Sequence, residues 1–166
     1  MAIETMRLGQ HELRVRSIMA FYYIKDNQGY HISAHTKLGT IRVCESATIE
    51  KITEKMDAIN GQLEMVGLDN FAYIDHHILN IDEVKHVDLE HTPWLPPLSK
   101  QVVATFKDET KLTIGDSVSY PEEERAAREI IADYDRQKHE YRTAQKSIDL
   151  NETLAAPAKE ATTQAQ

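Results

Sequence analysis

A chain of 166 residues with 27 acidic and 19 basic side chains carries a formal net charge of -8, a balance that disfavours nonspecific attraction to nucleic acid or anionic lipid. Its hydrophobic share of 41% is below the globular norm, so one domain with a core plus a part that builds no core is expected. The single cysteine, Cys44, excludes an internal disulfide, and no apolar run approaches the ~20 residues of a membrane span, so a cytoplasmic protein is expected.

Residues 1–12 read as a polar lead-in. From Leu13 to Ile24 the chain is rich in strand formers, and Asp26 to Gly29 is a turn signal. Tyr30 to His35 and Thr40 to Cys44 alternate apolar and polar, which predicts a β-hairpin around Lys37-Leu38-Gly39. Ser46 is the expected cap of a helix whose Ile49, Ile52, Met56 and Ile59 share one face, with Gly61 as its stop. Short strands follow at 71–74, 77–80, 84–88, 101–107 and 111–115. The prolines of His91-Thr-Pro-Trp-Leu-Pro-Pro97 exclude a ladder there. Ser119 and Glu122 form a capping box, and a helix runs to about Ile148 with a seam through Tyr134 and Tyr141. Residues 149–166 have the composition of a disordered tail, and no internal repeat is visible. The expected class is mainly β with helices (α+β): an elongated antiparallel hairpin scaffold over 13–118, then a C-terminal helix over 119–148.

The stretch from Phe71 to Glu83 carries the most chemistry. An apolar run breaks at Asp75-His76-His77, resumes at Ile78-Leu79 and meets Asn80, which is how a β-scaffold presents side chains at a tip. Asp75-His76-His77 resembles the tripeptide of the DHH phosphoesterases. A two-metal site needs several more carboxylates, and neither the Asp-x-Asp nor the glycine-rich histidine motif of those enzymes occurs here. The eight histidines lack metal-ligand spacing, no phosphate loop or Gly-x-Ser-x-Gly is present, and Cys44 has no adjacent base. Neither an enzyme nor a cofactor or metal site is expected.

The order of elements resembles a LytTR-type DNA-binding domain over about residues 13–118. Tyr23-Ile24 stands at its opening hairpin and Thr48 to Ile52 at its helix motif. Ile78-Leu79-Asn80-Ile81-Asp82-Glu83-Val84 matches its "l-V-N-l-x-x-I", and Val102 to Ile114 its last hairpin. The polar motif departs: the family's His-Arg-Ser falls on Ile74-Asp75-His76 and its closing Ser-Arg-Arg on Gly115-Asp116-Ser117. The resemblance implies an elongated β-fold reading duplex DNA through loops. The residues left to do so are His35, Lys37, Arg42, His76, Asn80, Lys85, Lys107 and Ser117.

Two expectations follow. One is a stand-alone DNA-binding regulator. The other is a protein-interaction module on the same scaffold, docking through Trp94, Tyr134 and Tyr141 to a protein partner or a second copy, with no membrane contact in either case.

Overall fold

A computed structural model describes residues 4–91 and 99–164, with side chains followed to Leu154. Trp94 and its proline-rich loop lie outside the described residues. The mainly β, α+β class holds, with antiparallel sheets, one internal helix and one long C-terminal helix.

The chain opens on a hairpin rather than a lead-in: β1 (Thr5–Leu8) and β2 (His11–Arg14) pair across Gly9, whose φ of 59 needs no Cβ to be tolerated. Leu8 and Leu13 face inward, and four-residue strands are too short for that alternation to register in the sequence. A single 3-10 turn, Val15–Ser17, leads into the meander β3 (Ile18–Asp26), β4 (Gly29–Thr36) and β5 (Gly39–Ser46).

Helix α1 (Ile49–Met65) is capped by Thr48, whose hydroxyl accepts from Lys51 N, and not by Ser46. Gly61 lies within it. The stop is Gly67 at φ 77, where Leu68 N donates to Leu63 O and Gly67 N to Glu64 O, the paired bonds of a Schellman end. Ile52, Met56, Ile59 and Leu63 make its buried face.

The second half comprises β6 (Phe71–Ile74), β7 (His77–Asn80), β8 (Val84–His91), β9 (Lys100–Phe106), β10 (Lys111–Val118) and α2 (Pro121–Gln164). Gly115 does not end the last strand; at φ 75 it sits in an irregularity between Ile114 and Val118. Glu123, not Glu122, folds back on the N–H groups of Ser119 and Tyr120 to start α2. The helix runs on to Gln164 where a disordered tail was expected. A helix already nucleated upstream extends at low cost through the four alanines there, although Pro157 and three threonines in the same stretch work against it.

The strands form three sheets, β1-β2, β5-β4-β3-β7-β6 and β10-β9-β8. The five-stranded sheet has a core on each face. On one side Phe21, Ile32, Ala34 and Ile78 pack with Leu8, Leu13 and α1. On the other Ala20, Ala72, Ile74 and Leu79 pack with the three-stranded sheet and with Ala127 and Tyr134 of α2. The molecule is therefore layered, with β7 buried at every residue.

This layering is an internal duplication, contrary to the sequence reading. Adding 66 to each residue of the pairs Thr5↔Arg14, Met6↔Leu13, Arg7↔Glu12 and Leu8↔His11 gives the register of β6 with β7. Val15 N donates to Glu4 O as Ile81 N does to Asn70 O, and Lys37 N to Ser17 O as Lys107 N does to Glu83 O. The ladder skips a residue between Ile18 and Ala20, and again between Val84 and His86. Hairpin, turn, three-stranded meander and helix thus occur twice. Few side chains repeat (His11 and His77 do), and the shift grows from 66 at Ile18/Val84 to 70 at Thr36/Phe106, which hides the period.

Candidate functional site

The β6–β7 turn carries a concentration of polar chemistry. A two-residue hairpin turn between paired strands needs positive φ at its tip, and here Asp75 (φ 45) and His76 (φ 57) supply it without a glycine. That backbone costs on the order of 1 kcal/mol per residue relative to Gly. The His77 imidazole turns inward, its Nδ1 2.7 Å from Asp75 O, and stacks 4.9 Å from the Tyr23 ring. Burial pushes the His77 pKa down, so the ring is held neutral.

Outside this pair, the Tyr73 hydroxyl donates to Asp57 of α1, and His76 Nδ1 lies 3.0 Å from the same hydroxyl and 3.5 Å from Asp57. Burial, then the Asp57 contact, raises the Tyr73 pKa, so this phenol is a poor nucleophile or base. Burial with Asp75 and Asp116 nearby does the same to Tyr23. A methyl on Gly115 would lie 3.2 Å from Asp75 Oδ2, which places the β10 irregularity against this turn. The surroundings of His76 are thus acidic, with Asp57 and Asp75. Among the described residues no group of three or more His, Cys, Asp or Glu is arranged to hold a metal ion. Cys44 is half-buried, and burial raises its thiol pKa.

The expected DNA-contact residues divide into separate places. His35, Lys37, Lys85 and Lys107 gather at one end. Lys37 Nζ lies 2.8 Å from Glu83, whose carbonyl takes the Lys107 N–H. Lys85 Nζ lies 2.8 Å from Glu109, and His35 Nε2 lies 3.1 Å from Thr110 Oγ1 with its ring against Phe106. Two of these lysines are held by carboxylates, Lys37 by Glu83 and Lys85 by Glu109, and Asp108 sits in the same β9–β10 turn with its carboxylate on Thr110. Arg42 lies elsewhere, 2.8 Å from Glu45 and 3.7 Å from Asp26. His76 sits in its own acidic surroundings, and Ser117 is exposed on β10.

Asn80 is not a surface residue. It is 4% exposed, donates to Ile18 O and accepts from Asn70 Nδ2 and Asp82 N, which ties β7 to β3 and shapes the turn into β8. Tyr134 is equally misplaced as a partner contact, being 1% exposed in the core. Tyr141 is half-buried, with its hydroxyl donating to Asp82 and its pKa pushed up to about 12 by burial and that carboxylate. These two tyrosines dock α2 on its own domain. Sequence reasoning missed Tyr73, Asp57, Tyr23 and Asp116. Only Tyr73 had a signal, since it alternates with the inward Ala72 and Ile74.

No family model, curated protein or solved structure matches this chain. No helix among the described residues is long and apolar enough to cross a membrane.

Proposed function

We propose that the protein is an interaction module on a LytTR-like scaffold, which works by docking a protein through its C-terminal helix. The observation that carries this reading is the division of α2. Ala127, Ile130, Ile131, Tyr134 and Tyr141 pack on the core, whereas Ile148, Leu150 and Leu154 further along are exposed. Leu150 and Leu154, one turn apart past the docked part of the helix, are the kind of exposed apolar pair that a partner surface uses.

Duplex DNA binding is the second reading. The convergence of His35, Lys37, Lys85 and Lys107 at one end favours it. Against it stand the matching carboxylates at that end, the buried Asn80 amide and the acidic setting of His76. Surface ion pairs are worth only about 0–1 kcal/mol, so pairing alone would not keep phosphate away. The formal net charge of -8 works against it, because counterion release needs an uncompensated cationic edge.

A mobility shift with mixed-sequence duplex DNA at low salt separates the two. No complex is expected at micromolar protein. A salt-sensitive complex that weakens in Lys37→Ala and Lys107→Ala would replace the interaction reading with the DNA one.

A further inference from the structure

The outer edge of β6, last in the order β5-β4-β3-β7-β6, is met by a single side chain of α2. Tyr73 N donates to Gln137 Oε1, and Gln137 Nε2 donates to Tyr73 O, both at 2.9 Å. One primary amide thus gives this residue the acceptor and the donor that a neighbouring strand would supply. Asn70 O accepts from Ile81 N on the inner side, so the alternation of an antiparallel pair turns Phe71 outward together with Tyr73. The first repeat shows that the fold does not require such an amide. Arg7 holds the place of Tyr73 there, and among the described residues no α1 side chain bonds its backbone, although Gln62 lines the same hollow.

We infer that Gln137 stands in for a bound peptide: the edge of β6 is a strand-addition site, and an extended segment with basic side chains at alternate positions takes it by displacing Gln137. Charge selects the partner. Exposed Asp57 is bonded to the Tyr73 hydroxyl, Asp75 begins the turn that ends β6, and exposed Asp82 takes the Tyr141 hydroxyl. The chain segment that now covers the edge is itself basic, with Arg136, Lys138 and Arg142 around Gln137. Opening the site leaves the core in place. Ala127, Ile130, Ile131 and Tyr134 anchor α2, and beyond them the helix is held by the Gln137 pair and by half-buried Tyr141 with its bond to Asp82. A peptide backbone reaches Phe71 as well as Tyr73, so it makes more bonds than the one amide it replaces. None of this depends on the docking role of the distal helix.

The isotope-labelled full chain, titrated with a hexapeptide alternating lysine and valine, tests the proposal. Weak binding that shifts the Phe71 and Tyr73 amide resonances is expected. Gln137→Ala removes the competitor and should tighten binding about tenfold, the worth of one or two net hydrogen bonds. In the same variant, without peptide, Tyr73 N–H should exchange with D2O about tenfold faster than in the native chain, and Leu79 N–H in mid-sheet at its native rate. Gln137→Glu sets a carboxylate against Tyr73 O and should act in the same direction, so the result does not hang on the folding of one variant. A hexapeptide alternating glutamate and valine should not bind, nor should the lysine peptide N-methylated at its ladder positions. No binding to either variant at millimolar peptide overturns the proposal, as does equal affinity of native chain and variants. Equal binding of the N-methylated peptide overturns strand addition, and equal binding of the glutamate peptide overturns the basic partner.

Discussion

The two repeats share a backbone and differ in what lies outside their first hairpin. In the second repeat that hairpin is sandwiched. β7 pairs with β3 at Ala20↔Leu79 and Phe21↔Ile78, and its outward residues Ile78 and Asn80 are buried. In the first repeat the equivalent positions, Glu12 and Arg14, face solvent, because no layer among the described residues packs on that face as α1 does on Ile78. The inward positions do not change character: Leu8 and Leu13 match Ile74 and Leu79. Folding the hairpin thus needs only its inner face, and the outer face records whether another layer follows. Charged outer residues on β2 also blunt an edge that could otherwise recruit further strands.

Exchanging the outer residues gives the largest expected contrast. Ile78→Glu places a carboxylate at a position with no exposure, and a loss of more than about 4 kcal/mol or outright unfolding is expected in denaturant titration. Glu12→Ile should change stability by no more than about 0.5 kcal/mol. Comparable losses from the two would end the distinction between the covered and the uncovered hairpin.

The helices sharpen the comparison next. Tyr134 is the largest fully buried side chain among the described residues, and Tyr134→Ala should cost about 3–5 kcal/mol. Its hydroxyl is buried without a hydrogen-bond partner among the described residues, so Tyr134→Phe should be neutral or stabilising by up to about 1 kcal/mol. A destabilised Phe variant would show that the hydroxyl does find a partner. Asn80→Ala, which orphans Ile18 O and Asp82 N, should cost about 2–3 kcal/mol, while Arg14→Ala at the equivalent place should cost almost nothing.

Much of this was legible in the sequence. The edges of β6 and β7 and the buried stripe of α1 follow from period-two and period-3.6 patterns. The duplication was not legible, because equivalent positions conserve inwardness rather than identity, and the outer face of each hairpin answers to a different neighbour. Asn80 shows the same limit. A polar residue ending an apolar strand reads as a tip, and only the register of β7 against β3 makes it an interior tie. Likewise the lysines at 37 and 85 read as free cations until the fold brings Glu83 and Glu109, distant in sequence from their partners, beside them.

The paired histidines allow a pH test. Burial lowers the His77 pKa in the folded state, so the unfolded chain binds more protons as the pH falls. Its contribution to stability is therefore complete above the unfolded value of about 6.5 and is lost as the pH drops toward the folded one. The denaturation midpoint should fall between pH 7.5 and 5 in the native chain and fall less in His77→Asn. His11, at the same place in the first repeat, is only partly buried.

The smallest effect expected is at the tip of the second hairpin. Gly9 takes positive φ without strain in the first repeat, whereas the second places Asp75 and His76 in that region. His76→Gly relieves the backbone but gives up an exposed contact to Tyr73 and Asp57, which solvent screening keeps small. A net gain of about 0.5–1 kcal/mol is expected from the relief, to be read from denaturant midpoints. A loss instead would mean that the Tyr73–Asp57–His76 contact outweighs the strain. The strained pair would then be a structural tie between α1 and the second repeat, and not a conformation kept in spite of its cost.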